Sequence, residues 1–159
     1  MARGTEIIVS GYPRGVFMEG YVNAALKPGT VCQIDVSEGM GDDGRFDWEA
    51  YNTSADGEQR MIAVLLPDRL KGKLETDAYV SGDRCFLYVP CAGEELNMLL
   101  GDVAGTGDDH TFGEILMVDD GTGKLVATTG SPESEPFMLL EAVTDPVADT
   151  LAHCIYTGY

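Results

Sequence analysis

The stretch Arg45-Phe46-Asp47-Trp48-Glu49 alternates charged and aromatic residues, and this alternation indicates how the chain folds. Successive side chains of an extended strand point to opposite faces, so Phe46 and Trp48 share one face and the charged residues take the other. This pattern is typical of a strand with one buried face. We therefore expect Trp48 to lie in a hydrophobic core.

Apolar runs of five to eight residues recur along the rest of the chain, separated by Gly, Pro, Asp and Ser. Short strands with turn residues between them are typical of a sandwich or a barrel. Two segments favour a short helix as an alternative: residues 94–100 contain helix formers, and Val147, Leu151 and Ile155 fall at helical spacing. The predicted strands are residues 6–10, 16–22, 30–36, 45–51, 61–66, 84–89, 113–118, 124–128, 137–143 and 150–157.

The predicted fold class is therefore all-β, with a single small β-barrel or sandwich and an extended N-terminal arm. We place the arm at residues 1–15, because its glycines and Pro13 deny it a stable element of its own. Residues 16–159 form the barrel or sandwich domain. Two glycine-rich stretches, 39–44 and 121–124, resemble phosphate-binding loops. The first is not followed by a predicted helix, and the second lacks residues that such loops need. We interpret both as turns.

The balance of charge excludes several classes of partner. The chain has 159 residues, with 27 acidic and 10 basic side chains, and its net charge is -17. Nucleic acids and anionic membranes are bound through clustered Lys and Arg, so we expect neither as a partner. The acidic residues indicate a solvated surface. An alternative is an acidic outer face with a nearly neutral N-terminal segment, residues 1–41, that is left for a partner.

Cysteine and histidine positions indicate no metal site, cofactor or catalytic group. Cys85 and Cys91 are too far apart for paired zinc ligands, and no secretory signal precedes them, so the cysteines are expected to be buried thiols. His110 lies among turn residues and is predicted to be in an exposed loop. His153 lies in an apolar stretch and is predicted to be a core histidine. The chain is therefore predicted not to be an enzyme.

Three stretches together resemble the head decoration (cement) proteins of tailed bacteriophages. The stretch Gly11-Tyr12-Pro13-Arg14-Gly15-Val16-Phe17-Met18-Glu19-Gly20, followed by Lys27-Pro28-Gly29-Thr30-Val31, is similar to the opening of such proteins. Residues 79–90 with 93–95, and then 113–125, resemble their barrel, in which Gly-Asp steps alternate with strands. The resemblance covers most of the chain, and its motifs are of turns and strands.

The resemblance implies a β-tulip-like or jelly-roll fold and a structural protein of the virion. Such a protein is made in the host cytoplasm, binds the outer surface of the capsid at subunit junctions and stabilises the shell. The implied partners are the major capsid protein and further copies of the chain, as a trimer or a dimer. The resemblance implies no catalytic residue and no cofactor.

The residues predicted to bind the capsid lie in the arm. Residues 6–9 favour a β-strand, and Ile7 and Val9 would be exposed apolar side chains if the arm were free, so the arm could add a strand to a capsid sheet. Alternatively, residues 6–10 are the first strand of the barrel itself. A calcium- or carbohydrate-binding β-module displayed on a particle is the alternative function, with Trp48, Tyr51 and Tyr79 as candidate sugar-binding aromatics. The predicted capsid-binding residues are Glu6, Ile7, Ile8, Val9, Tyr12 and Arg14.

Overall fold

The computed structural model describes residues 6–9, 13–52, 61–72, 74–101, 109–127, 137–144, 146 and 149–158. Within these ranges the chain forms strands, turns and one short 3-10 helix, Arg69–Lys71, and no α-helix. The predicted all-β class is confirmed. The strands are β1 (Val16–Val22), β2 (Val31–Ile34), β3 (Phe46–Ala50), β4 (Ala63–Leu66), β5 (Arg84–Val89), β6 (Glu95–Leu99), β7 (Ile115–Val118), β8 (Leu125–Ala127), β9 (Phe137–Leu139) and β10 (Leu151–Tyr156).

Five strands close a barrel and five form a second sheet. The barrel order is β1-β3-β2-β4-β5, and the second sheet has the order β6-β10-β9-β7-β8. Only the β1–β3 pair is parallel among the named strands; the other pairs are antiparallel. Residues 16–89 therefore supply the strands of the barrel, and residues 95–156 supply those of the sheet that packs on it.

The helix alternatives for two segments are wrong. Residues 94–100 contain β6, and Leu151 and Ile155 lie in β10, which pairs with β6 over five residues. In β6 the buried Leu96 and Met98 alternate with the partly exposed Glu95 and Asn97, as in a strand with one buried face. Pairing on a sheet outweighs the helix propensity of these residues.

One hydrophobic core fills the barrel. Trp48 is fully buried there, as its alternation with charged residues predicts, while Phe46 packs against the same core from a partly buried position. The ring of Trp48 lies over Gly20, where a Cβ atom would come within 2.4 Å of the indole. A glycine in β1 thus makes room for the largest side chain of the barrel.

A second core lies between the barrel and the second sheet. Along β4, Ala63 and Leu65 belong to the core inside the barrel, whereas Val64 between them belongs to the second core. Tyr88 of β5 joins Val64 in the second core, opposite Leu96 and other residues of the second sheet. Because successive side chains of a strand point to opposite faces, one strand contributes residues to both cores.

The turn between β7 and β8 fastens the second sheet to the barrel. The backbone N–H of Val31 donates to the carbonyl of Gly123 at 2.7 Å, and Gly121 donates to Tyr51 at 2.8 Å. Gly123 has a φ of 64°, and a Cβ there would come within 2.2 Å of the Val31 carbonyl oxygen. The interpretation of residues 121–124 as a turn is confirmed, and that of 39–44 likewise, since residues 42–43 form a turn.

Replacing Trp48 tests the barrel core. Trp48→Ala is expected to lower the free energy of unfolding by about 3–5 kcal/mol, because the cavity cannot refill from a closed barrel. Trp48→Phe keeps an aromatic ring in place and removes an indole N–H that has no hydrogen-bond partner, so it should cost clearly less. Urea denaturation measures both. Equal stabilities of Trp48→Ala and the wild type would contradict this placement.

Candidate docking surface

Residues 6–9 lie on the edge of the second sheet. The N–H of Val9 donates to the carbonyl of Glu95 at 3.0 Å, and Asn97 donates to the carbonyl of Ile7 at 2.7 Å. Ile8 lies opposite Leu96 in an antiparallel bridge. The segment thus pairs with β6 and is neither detached from the fold nor a strand of the closed barrel. Ser10 and Tyr12, which the sequence places in the arm, lie outside the described residues.

The burial of the predicted capsid-binding residues is uneven. Ile7 is 2% exposed and belongs to the core between the sheets, so the expectation of an exposed side chain at this position is wrong. The cause is the pairing with β6, which holds the segment against that core. Val9 is 39% exposed, as expected, Ile8 is partly buried against the core, and Glu6 is exposed. That these residues bind a capsid stays a prediction.

Arg14 and Glu94 hold the chain where it passes from this edge to β1. The guanidinium of Arg14 donates to the carbonyl of Ala92 at 2.9 Å, and its backbone N–H donates to the Glu94 carboxylate. Tyr88 Oη donates to the same carboxylate at 2.7 Å, and the N–H of Cys91 donates to it at 2.6 Å. Glu94 is buried, so these three donors replace the hydrogen bonds that water would make to its carboxylate.

These hydrogen bonds shift the pKa of Glu94. Burial by itself raises the pKa of this carboxyl group, but the donors from Arg14, Tyr88 and Cys91 stabilise the charged form and bring its pKa below the ordinary value. Burial and the carboxylate also raise the pKa of Tyr88 to about 12, so the phenol keeps its proton and remains a donor. No sequence motif indicates Glu94 as a buried carboxylate; its position just after the turn at Gly93 is the only local signal.

Two adjoining clefts open beside the 6–9 segment. The first, which we call the arm cleft, has a volume of about 210 Å³, and the second, the barrel cleft, has about 250 Å³. They share Leu66, Pro67 and Arg69, which come directly after β4. The arm cleft is completed by Glu6, Ile7 and Ile8, and the barrel cleft by Phe17, Asp68, Leu70 and Phe86.

The barrel cleft exposes large apolar side chains. Leu70 is 91% exposed and Phe17 is 60% exposed, although the ring of Phe17 rests on that of Tyr88 with centroids 4.9 Å apart. Exposed apolar groups that cluster around a concavity are typical of a surface that binds a partner. The sequence motifs did not indicate Leu70, because a single apolar residue in a turn carries no periodicity.

Ion pairs fix the wall that the two clefts share. Arg69 reaches Glu75 at 3.0 Å and Glu6 at 3.4 Å, so it ties the short 3-10 helix to the 6–9 segment. The buried carboxylate of Asp68 caps this helix by accepting from the N–H of Lys71 at 3.2 Å. Pairs of this kind at the surface add little stability, but they hold the walls of the clefts in a defined position.

Both predictions for the histidines are wrong. His110 is buried rather than exposed, because its backbone pairs with Val143 in an antiparallel bridge. His153 is partly exposed rather than in a core; it lies on the outward face of β10, with Nε2 at 2.9 Å from the Glu95 carboxylate. Among the residues that the structure describes, no group of three His, Cys, Asp or Glu side chains could hold a metal ion.

The candidate sugar-binding aromatics belong to the cores. Trp48 and Tyr79 are fully buried in the barrel, and Tyr51 lies in the core between the sheets. Tyr79 Oη donates to the carbonyl of Leu66 at 2.7 Å, and Leu66 lines both clefts. The carbohydrate-binding alternative required these aromatics to be exposed, and their burial does not meet that requirement.

The cysteines are free thiols. Cys32, Cys85 and Cys154 are buried, as predicted, whereas the prediction is wrong for Cys91, which is exposed. Burial raises the pKa of Cys85 to about 12 and that of the other two buried thiols well above the ordinary value. In the described part of the chain no helix is long and apolar enough to cross a membrane.

Comparison with known proteins gives a likeness of fold. No protein-family model matches the sequence, and no curated protein matches it. Among solved structures, the chain is similar to the N base of the head fiber protein gp8.5 of bacteriophage phi29. The match has a TM-score of 0.54 at 12% sequence identity, and it covers 90% of this chain and 94% of that chain.

Substitutions at Ile7 and Val9 test the docking of the 6–9 segment. Ile7→Ala is expected to lower the free energy of unfolding by about 2–5 kcal/mol, because it leaves a cavity in the core between the sheets. Val9→Ala, on an exposed side chain, should change it by less than about 0.5 kcal/mol. Chemical denaturation measures both, and equal effects of the two substitutions would show that the segment is not held against the core.

Glu94→Gln tests the buried carboxylate through pH. Because the folded-state pKa of Glu94 is lowered, its contribution to stability is complete above the ordinary value of 4.5 and is lost as the pH falls through the folded-state value. At pH 7 the variant should be less stable than the wild type by about 1–3 kcal/mol. The difference should shrink below pH 4. Glu38→Gln, on an exposed side chain, is the control; a Glu94→Gln effect that does not depend on pH would contradict the assignment.

Proposed function

We propose that this protein is a structural component of a phage virion that binds the outer surface of the capsid. The observation that carries the proposal is the likeness of fold to a head fiber base of phage phi29 over nearly the whole of both chains. The decoration-protein motifs in the sequence, which were identified independently of the fold, favour the same class.

The two clefts and the 6–9 segment are the surface by which the protein binds the shell. Phe17 and Leu70 expose apolar area around the barrel cleft, which adjoins the arm residues Glu6 and Ile8. Burying one such side chain contributes about 1.5–3 kcal/mol. If copies joined in an oligomer contact the shell together, modest affinity at each contact suffices to hold the oligomer there.

The strongly acidic part of the chain is suited to the side of the bound protein that faces solvent. Residues 101–159 carry a net charge of -10, whereas residues 1–41, which include the arm, carry -1. A protein that binds the assembled shell and not the free subunits stabilises that shell by mass action. We propose this role, with further copies of the chain bound as a trimer or a dimer at the junctions, rather than a catalytic one.

Binding to shells is the direct test. Purified protein, mixed with capsids prepared from a phage mutant that lacks it, is expected to sediment with them up to a fixed ratio of copies to subunits. The decorated shells should also release their contents at a higher temperature than bare shells, since bound ligand favours the assembled state. Dissociated capsid subunits are the control. Sedimentation of the protein with free subunits only, or with neither, would contradict the proposal.

A further inference from the structure

Among the residues that the structure describes, none forms a hydrogen bond with the backbone N–H or C=O of Ile8. On an antiparallel edge, alternate residues direct both their N–H and their C=O to the same neighbour. Ile7 and Val9 bond to β6, so the groups of Ile8 between them point away from β6. The 6–9 segment is thus an open strand edge at Ile8, and an open edge can accept a further strand.

The arm cleft lies along this open edge. None of its lining residues belongs to β6; its opposite wall consists of Leu66, Pro67 and Arg69, and it continues into the barrel cleft with Leu70. With volumes of about 210 and 250 Å³, each cleft is smaller than the roughly 300–1,000 Å³ usual for sites that bind small molecules. An open strand edge beside two small apolar clefts suits an extended peptide, which bonds through its backbone and inserts alternate side chains.

Geometry distinguishes between two sources of such a peptide. The 6–9 segment of a second copy is bonded to its own β6, and that sheet would have to enter the cleft with it. A segment of another protein that has no sheet of its own meets no such obstacle.

We propose that the arm cleft and barrel cleft receive an extended segment of a capsid subunit, which carries apolar residues and pairs as a strand with Ile8. The inference rests on the proposed function and specifies how the shell is held. The peptide N–H and C=O of Ile8 bond to the backbone of the incoming segment. One apolar side chain of the incoming segment covers Leu66 and Pro67, and another contacts Leu70.

Ile8→Pro tests the backbone contact. Proline removes the N–H that points away from β6 and leaves the two hydrogen bonds of Ile7 and Val9 to β6 in place. The variant is expected to keep its fold, as its melting temperature will show, and to bind capsids about tenfold more weakly. Ile8→Val, which keeps the N–H and a β-branched side chain, is the matched control and should bind within about twofold of the wild type.

Two exposed leucines four positions apart in the sequence supply a second test that does not touch the arm. Leu70→Asp places a charge in the barrel cleft, whereas Leu74→Asp makes the same change at an exposed leucine that lines neither cleft. Leu70→Asp is expected to weaken binding at least about tenfold, and Leu74→Asp less than about twofold. If Ile8→Pro does not fold, the comparison of Leu70→Asp with Leu74→Asp tests the inference by itself.

The outcomes separate the inference from the function on which it rests. If the wild type binds capsids and both cleft variants bind equally well, the inference is wrong while the proposed function stands. If the cleft variants instead change the mass of the free protein in analytical ultracentrifugation, the clefts hold a second copy and the inference is likewise wrong. If the wild type binds no capsid, the proposed function fails and the inference fails with it.

Discussion

Burial of the barrel strands β4 and β5 on both faces is the constraint on which the rest of the structure depends. Ala63, Val64 and Leu65 are all fully buried, although successive side chains of a strand point in opposite directions. The inner residues fill the barrel, but Val64 can be buried only if something covers the outside of the barrel. The second sheet supplies that cover, so the barrel and the sheet stabilise one another through a common core.

The candidate docking surface lies where this cover ends. Across the outer face of the barrel, Val64 pairs with Tyr88 and Tyr88 pairs with Phe17, so the three form one row. Val64 and Tyr88 are fully buried, whereas Phe17, on β1, is mostly exposed. The apolar row thus extends beyond the second sheet, and a partner that docks there completes the cover that the chain leaves unfinished.

The strands were largely predictable from the sequence, because alternation and turn residues are local signals. Nine of the ten strands lie within predicted runs, and β1 and β5 have the predicted bounds. The exception is β6, whose glutamate, leucine and methionine favour a helix in isolation; only its pairing with β10 makes it a strand. Local propensity is overridden by tertiary pairing in such a segment.

The site was less predictable, since it depends on contacts between residues distant in the sequence. An extended arm was predicted, but the pairing of residues 6–9 with β6 joins residues about ninety positions apart, and nothing in residues 6–9 indicates which strand they meet. Likewise Glu94 binds the N–H of Arg14, and His110 is buried by its bridge to Val143. Leu70 has no periodic neighbours, so only the folded chain shows that it borders a cleft.

Electron cryomicroscopy of capsids carrying this protein tests the central claim most directly. The account expects density for the barrel and the second sheet on the outside of the shell, at junctions between capsid subunits. In that density Leu70 and the 6–9 segment should face the shell, and an extended strand of a capsid subunit should run beside Ile8. Shells without such density, or with the protein bound so that both clefts face solvent, would contradict the account.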